Sequence, residues 1–466
     1  MSSGHRSRRQ LTVAPAGRWF QAMAAALALA LVTGCAGGSS DPDPDADSPA
    51  VPSPTSIDRP VVTLGIYGPA DELAAWSEVV ESYNQSSAAS QARLITWPDH
   101  DAALEALTSA TRPDVFLVSR RDLDGLVDEQ LVQPVGELLD ERDVDFGDGF
   151  ERSALLAFGR DNALQCMPYA TSPQVLFYNT ELIDFERMLA RGLAVPEFEE
   201  DRPRAWNFAQ FRTAVEFAAR PGRNIRGFYF EPTLSGLAPF LYAAEAPIFT
   251  DETEPPTSTT LASEDGVAAL EAVLPVLRRT RLTLSSEQLQ KDSPLEWFRR
   301  GKLGVIAGDH SLVPVLRRTP SLAWDVMPFP TIKTSATIGD ITGLCMSVDA
   351  QAADAADLIV HLISADSVAK VAAQGYAVPT NLEVSESEAF LSGPPLNARV
   401  FNDSIRRLQL DARLHITPEL EQVARPLILA MLNETLPDVA ALASQLDAGS
   451  QTVLSPLESV ESSPSP

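Results

Sequence analysis

Short apolar runs that end in Gly or Pro alternate with segments of helical period along most of this chain, and that alternation leaves few architectures open. Val61-Val62-Thr63-Leu64-Gly65-Ile66-Tyr67 reads as a buried strand broken by Gly68-Pro69. Leu73, Trp76, Val80 and Tyr83 then recur at helical spacing, which predicts an amphipathic helix over 71–85. Strand signals follow at 92–97 and 113–118, separated by a helical pattern at 100–109, and a short helix is expected at 122–129. Further on, 165–169 and 175–179 read as extended, 264–279 as a helix, 303–307 as a strand and 349–373 as helical. The last helices are expected near 418–431 and 434–447. Strands interleaved with helices of this length point to α/β layering, because each strand buries its faces under the helices beside it.

The first 60 residues are of another kind. Arg6, Arg8, Arg9 and Arg18 precede an apolar run from Trp19 to Val32, and Leu31-Val32-Thr33-Gly34-Cys35 closes it with small residues before a thiol. Basic, then apolar, then small is the order of an export signal, and the cysteine marks a lipoprotein cleavage box. The expectation is a signal peptide over 1–34 and a diacylglycerol on Cys35. Ser7-Arg8-Arg9-Gln10-Leu11 also fits a twin-arginine signal, so both export routes stay open. Residues 35–60, rich in Ser, Pro, Gly and Asp, read as a disordered tether, and 455–466 as a disordered tail.

Composition excludes more than it selects. A formal net charge of -27 lacks the basic surface that nucleic acid needs. The histidines at 5, 100, 310, 361 and 415 stand apart from any cysteine at zinc spacing, so neither metal nor cofactor is expected. With Cys35 lipidated, Cys166 and Cys345 either pair or pack as small apolar side chains. Ser367-Val368-Ala369-Lys370 matches a penicillin-binding S-x-x-K, but its partner motifs are missing or out of order, and no H-E-x-x-H or G-x-S-x-G occurs. The residues thus assign no catalytic group.

Four landmarks in fixed order carry a resemblance. Pro113-Asp114-Val115-Phe116 is followed by Leu131-Val132-Gln133-Pro134-Val135, then by Met167-Pro168-Tyr169 through Phe177-Tyr178-Asn179-Thr180-Glu181-Leu182. Trp297-Phe298-Arg299-Arg300-Gly301-Lys302-Leu303-Gly304-Val305 and Trp324-Asp325-Val326-Met327-Pro328-Phe329-Pro330 come next. Together they resemble the bacterial extracellular solute-binding proteins of family 1, the maltose-binding-protein-like lipoproteins of ABC importers, over about 61–454. The resemblance implies a two-lobed periplasmic-binding-protein-like fold of type II, each lobe a central sheet flanked by helices, joined by a hinge. It places one lobe at 61–167 plus 345–393 and the other at 173–340 plus 398–454, with crossings at 168–172, 339–344 and 392–399. A bridge between Cys166 and Cys345 would then lie beside the hinge and tie the lobes where they pivot.

Carbohydrate recognition asks for aromatic faces and planar polar groups at strand-end loops and crossings. Carried over by position, the candidates are Tyr67, Asp71, Trp97, Asp114, Tyr169, Thr171, Glu231, Asp309, His310, Asp340 and Tyr376. The resemblance further implies a monomer that captures a small solute, most plainly a sugar, and delivers it to the transmembrane subunits of an ABC permease. Departures such as His310, where the family places a tryptophan, leave a polyol or another polar solute open. A secreted hydrolase and a sensor or scaffold lipoprotein are the readings from other classes.

Overall fold

The computed structural model describes residues 59–109, 111–199, 202–250, 256–410 and 415–455. The export signal, Cys35, the tether up to residue 58 and the tail from 456 onward lie outside the described residues.

The chain enters through β1 (Val61–Tyr67), turns at Gly68 into α1 (Ala70–Ser86) and returns in β2 (Gln91–Trp97), which lies parallel to β1 in unbroken register from Val61↔Gln91 to Tyr67↔Trp97. β3 (Val115–Ser119) pairs parallel to β1 on its other side, and β4 (Val132–Gln133) follows. β5 (Cys166–Pro173) and β6 (Val175–Asn179) are separated by Gln174 alone. Next come α2 (Phe208–Ala218), β7 (Arg226–Tyr229), α3 (Leu234–Ala243), α4 (Glu264–Leu277), β8 (Leu303–Gly308), α5 (Leu312–Arg317), β9 (Trp324–Met327) and β10 (Thr337–Ser347). α6 (Ala352–Ile363), α7 (Ala365–Ala372), β11 (Val378–Pro379), α8 (Arg399–Ile405), β12 (Leu408–Gln409), α9 (Pro418–Asn433) and α10 (Val439–Leu454) complete the main elements.

Two sheets result. The first runs β11-β5-β10-β3-β1-β2, with β4 and β12 also on β10, and the second runs β7-β8-β6-β9. Each is covered on both faces. In the first lobe Trp76, Val79 and Tyr83 of α1 and Leu358, Ile359 and Leu362 of α6 pack on one face, while Phe116, Leu123 and Phe158 fill the other. In the second lobe Phe211, Phe228, Phe240 and Leu270 build one layer, and Phe177, Phe298, Trp324 and Phe401 build the other. Burial of whole aromatic and aliphatic side chains on both faces is what lets two separate sheets each support a core.

Several expectations need correction. β5 holds its ladder to β10 through Gly339↔Pro173, so the first crossing is Gln174 and not 168–172. The small and β-branched residues Ala170, Thr171 and Ser172 keep pairing, with Thr171 bonded in register to both Ile341 and Val378. β10 likewise begins its pairing at Thr337, ahead of the expected 339–344, and Thr337 Oγ1 donates to the Gln174 carbonyl at 2.6 Å. The span 349–373 is helical as expected and divides into two helices, because Ser364 ends the first and caps the second by accepting from the Ser367 amide. The last helix starts at Val439 rather than 434, behind Pro437 and the N-cap Asp438.

Cys166 and Cys345 face each other across β5 and β10 and are joined by a disulfide with Cα atoms 4.3 Å apart. Both lie in the first-lobe half of these strands, buried with Phe116, Phe158 and Ile341. The bridge therefore staples one sheet and does not tie the two lobes at their pivot. It spans 179 residues of sequence, so its removal restores much freedom to the unfolded chain. Replacing both cysteines by alanine is expected to cost about 2–5 kcal/mol in urea unfolding, with the native secondary structure retained. A loss below about 0.5 kcal/mol would show that the ladder alone supplies the stability.

Candidate functional site

Parallel strands carry their loops at one edge, and in α/β sheets that edge is where ligands sit. Here the C-terminal ends of β1, β2 and β3 bring Tyr67, His100 and Ser119 to the same side as the first part of β10. Gly68 makes the turn from β1 into α1 possible. A side chain there would put its Cβ 3.0 Å from Glu72 Oε2. Pro69 is the N-cap of α1 and supplies no side-chain acceptor, and the Asp71 carboxylate accepts from the first helical amides instead.

The groups at the edge form one polar network. His100 Nε2 donates to Asp122 Oδ2 at 2.7 Å, while Arg121 Nη2 donates to His100 Nδ1 at 2.8 Å. The hydrogen bond to Asp122 raises the imidazole pKa above its usual value against the opposing effect of burial. Tyr67 sets its ring edge-on to His100, with centroids 5.7 Å apart. Burial first, and then the carboxylates of Asp340 and Asp122, push the Tyr67 phenol well above its usual range. Asp340 Oδ2 accepts from Ser119 Oγ at 2.7 Å, and its Oδ1 accepts from the Ile341 amide at 2.8 Å. An aromatic ring, carboxylates, a guanidinium and a polarised hydroxyl thus stand within one wall.

The second part of the site bridges the lobes. Tyr376 Oη donates to both Asp71 oxygens at 2.7 and 2.8 Å, and this bond is the main reason the Asp71 carboxyl lies below its usual value. Arg318, which follows α5 in the second lobe, approaches Asp71 at 3.4 Å. Beside them Glu72 is half-buried, and burial followed by the charge of Asp71 pushes its pKa up to about 7.

The remaining sequence candidates are placed elsewhere. Trp97 lies flat on its own sheet, its indole filling the space a side chain at Gly65 would need, next to Pro113. Asp114 stands at the opposite ends of the strands from Tyr67 and accepts from the amide and hydroxyl of Thr63 at 2.7 and 2.6 Å. Tyr169 packs under α1 with its ring 4.7 Å from Trp76, and its hydroxyl is buried without a partner. Thr171 is wholly buried and donates to the Val378 carbonyl at 3.4 Å. On the second lobe, Glu231 pairs with Arg425 at 3.3 Å, and Asp309 accepts from the amide and hydroxyl of Ser311.

His310 is buried between Phe390 and Phe401, and its Nδ1 donates to the Gly375 carbonyl at 2.8 Å. Burial lowers its pKa to about 4, so the imidazole is neutral and serves as packing between the lobes rather than as an open ligand contact. The sequence reading passed over Glu72, His100, Ser119, Arg121, Asp122 and Arg318. His100, Arg121 and Asp122 carry a usable signal, since each lies in the first helical turn after a strand of the first sheet.

Glu72 makes the site's electrostatics testable. Its ordinary value is 4.5 and its folded value is about 7, so between these pH values the folded chain holds a proton that the unfolded chain has released. Stability is therefore present below pH 4.5 and lost as pH rises toward 7. Glu72→Gln is expected to be the more stable protein at about pH 8, by about 1–3 kcal/mol, with the difference vanishing near pH 4. Urea unfolding at both pH values measures it, and an equal gap at both would show that Glu72 is not the group responsible.

Comparison with known proteins agrees with this architecture. Residues 91–398 match the family model described as bacterial extracellular solute-binding protein. Among solved structures, the ABC substrate-binding protein Lmo0181 from Listeria monocytogenes, in complex with cycloalternan, is 18% identical with a TM-score of 0.66, covering 85% of this chain and 99% of that one. The GacH receptor of Streptomyces glaucescens, solved unliganded and with acarbose, is 15% identical with a TM-score of 0.64 over 86% of this chain and 100% of its own. The maltose-binding protein MalE of Listeria monocytogenes, solved with maltose, is 14% identical with a TM-score of 0.67, covering 85% and 98%. No curated protein matches the sequence. At these identities the structural likeness establishes the two-lobed fold, while the family match covers well over half of the chain. This chain belongs to the bacterial extracellular solute-binding proteins, which work outside the cytoplasm.

Proposed function

We propose that this protein is the carbohydrate-capturing subunit of an ABC importer, held at the outer face of the cytoplasmic membrane by a lipid on Cys35 and passing its solute to a membrane-spanning permease. The observation that carries the reading is the wall at the ends of β1, β2 and β3. There a phenol ring stands beside the carboxylates of Asp340 and Asp122, with Arg121 and His100 in the same network. A sugar hydroxyl both donates and accepts, so it is served by carboxylates and guanidinium side by side, and a ring face covers its C–H surface. The three solved relatives described above, each crystallised with an oligosaccharide or its mimic, support the same solute class.

Capture follows from the bridge between the lobes. Asp71 and Tyr376 pair within the first lobe and Arg318 reaches them from the second, so closure both dehydrates the solute and brings Arg318 to this pair. The protein's work is then binding and release, with the two lobes presenting a closed form to the permease.

The test is a thermal-stability screen of the full chain in mild detergent against mono- to trisaccharides, polyols, amino acids and polyamines, followed by calorimetry on any hit. A sugar at about 100 times its dissociation constant stabilises the fold by about 2.7 kcal/mol. Tyr67→Ala and Asp340→Asn are each expected to weaken binding by about 10- to 100-fold, the cost of one charge-assisted contact or one ring face. A shift with amines or amino acids and none with sugars would replace the solute class, and recovery of cleaved sugar would overturn the importer reading itself.

A further inference from the structure

The far end of the second lobe carries a feature that solute capture does not use. A groove of about 550 Å³ is lined by Arg187, Arg191, Arg220 and Arg223 together with Phe217, Pro221 and Gly222. No carboxylate lines it, in a chain where acids outnumber bases 63 to 36. Its position is set by topology. The turn that carries Arg220 and Arg223 leads into the start of β7, whose other end reaches Tyr229, and Arg187 follows the end of β6 that points away from the crossing at Gln174.

The four guanidinium groups are held in different ways. Arg187 spends its Nε on Asp184 Oδ2 at 2.5 Å and its Nη2 on the Glu181 carbonyl at 3.2 Å. Arg191 lies over the ring of Phe217, its central carbon 5.2 Å from the centroid. The main chains of Arg220 and Ile225 bond to each other in both directions at 3.0 and 3.2 Å, which fixes the short loop bearing Arg220 and Arg223. Neither of these two arginines has a carboxylate partner among the described residues. Like charges gathered on one concave surface repel; Asp184 offsets the charge of Arg187, and an anion brought from outside would offset those of Arg220 and Arg223. Planar guanidinium forks match tetrahedral phosphate oxygens two at a time, and several converging on one groove suit a group with three or more acceptors.

We propose that this groove is a second binding site, separate from the cleft, that takes a phosphate group carried either by a soluble phosphate compound or by a lipid headgroup. The acidic remainder of the surface repels anions at long range, so recognition depends on the local forks and not on general attraction. Phe217 and Pro221 give the groove an apolar side on which the carbon skeleton of a phosphate ester can rest.

Calorimetry on the full chain at about 0.1 M salt would use inorganic pyrophosphate as one probe and dihexanoyl-phosphatidylglycerol below its micelle concentration as the other. Saturable binding of either probe is expected, and which one binds names the source. Arg220→Gln with Arg223→Gln should lower that affinity at least about 10-fold while leaving the melting midpoint and the response to cleft ligands unchanged. Arg220→Lys with Arg223→Lys, which keeps the charge but not the fork, should recover only part of it. The proposal falls if neither probe saturates, if the glutamine pair binds as well as the parent, or if chloride at equal ionic strength abolishes binding of both probes. None of these outcomes depends on the identity of the cleft solute.

Discussion

The ladder between β5 and β10 is the interaction on which the rest of this structure depends. Its first-lobe half is closed by the Cys166–Cys345 bond, and its other end delivers both strands to the crossing at Gln174 and Thr337. Because both strands leave the first sheet at the same place, the second sheet is attached through a narrow, fixed seam. A rigid half of a ladder beside a thin seam is what a hinge requires: one part that cannot bend and one with few bonds to distort. The apolar layer of Val175, Phe177, Phe401 and Val378 spans that seam and keeps water from the backbone there.

From that frame the polar wall follows. The parallel pairing of β1 with β2 and β3 puts three strand ends side by side, so residues 50 apart in sequence share one network. Within it the environment divides otherwise similar groups. Asp71, exposed and bonded to Tyr376, stays ionised below its usual value, whereas its neighbour Glu72, half-buried and facing that charge, titrates near neutrality. The two histidines divide the same way. His100 shares its proton with Asp122 and is pushed up, while His310, sealed between two phenylalanines, is pushed down and works as part of the packing. The exposed ion pair Asp71–Arg318 adds little stability by itself, about 0–1 kcal/mol, which suits the opening and closing that the proposed capture needs.

How much of this was legible beforehand varies from element to element. Leu73, Trp76, Val80 and Tyr83 marked α1 to within a residue at each end, since their spacing directly reports which face is buried. The helical span expected at 349–373 is present, but its division at Ser364 was not legible, because a hydroxyl that competes for the backbone is a local effect that apolar periodicity does not register. The site candidates divided by the same logic. Tyr67, Asp340, Asp71 and Tyr376 stand at the edge or the lobe bridge, whereas Trp97, Asp114 and Thr171 sit in plausible loops or strands but turn into the sheet or brace its far end. Strand position sets which end a residue occupies, but not whether its side chain turns outward.

By itself the sequence determined the α/β layering, the order of the landmarks and the helices with a strong apolar stripe, because these depend on periodicity and on neighbours close in the chain. It also set the acid excess against which a groove of four arginines stands out. Only the tertiary structure decided where the lobes part, that the disulfide staples one sheet, and which acids keep their charge. Those outcomes rest on contacts between residues far apart in the chain, such as Cys166 with Cys345 at 179 positions and Asp71 with Tyr376 at 305. Strand register and burial create such contacts, and neither is written in the local spacing of side chains.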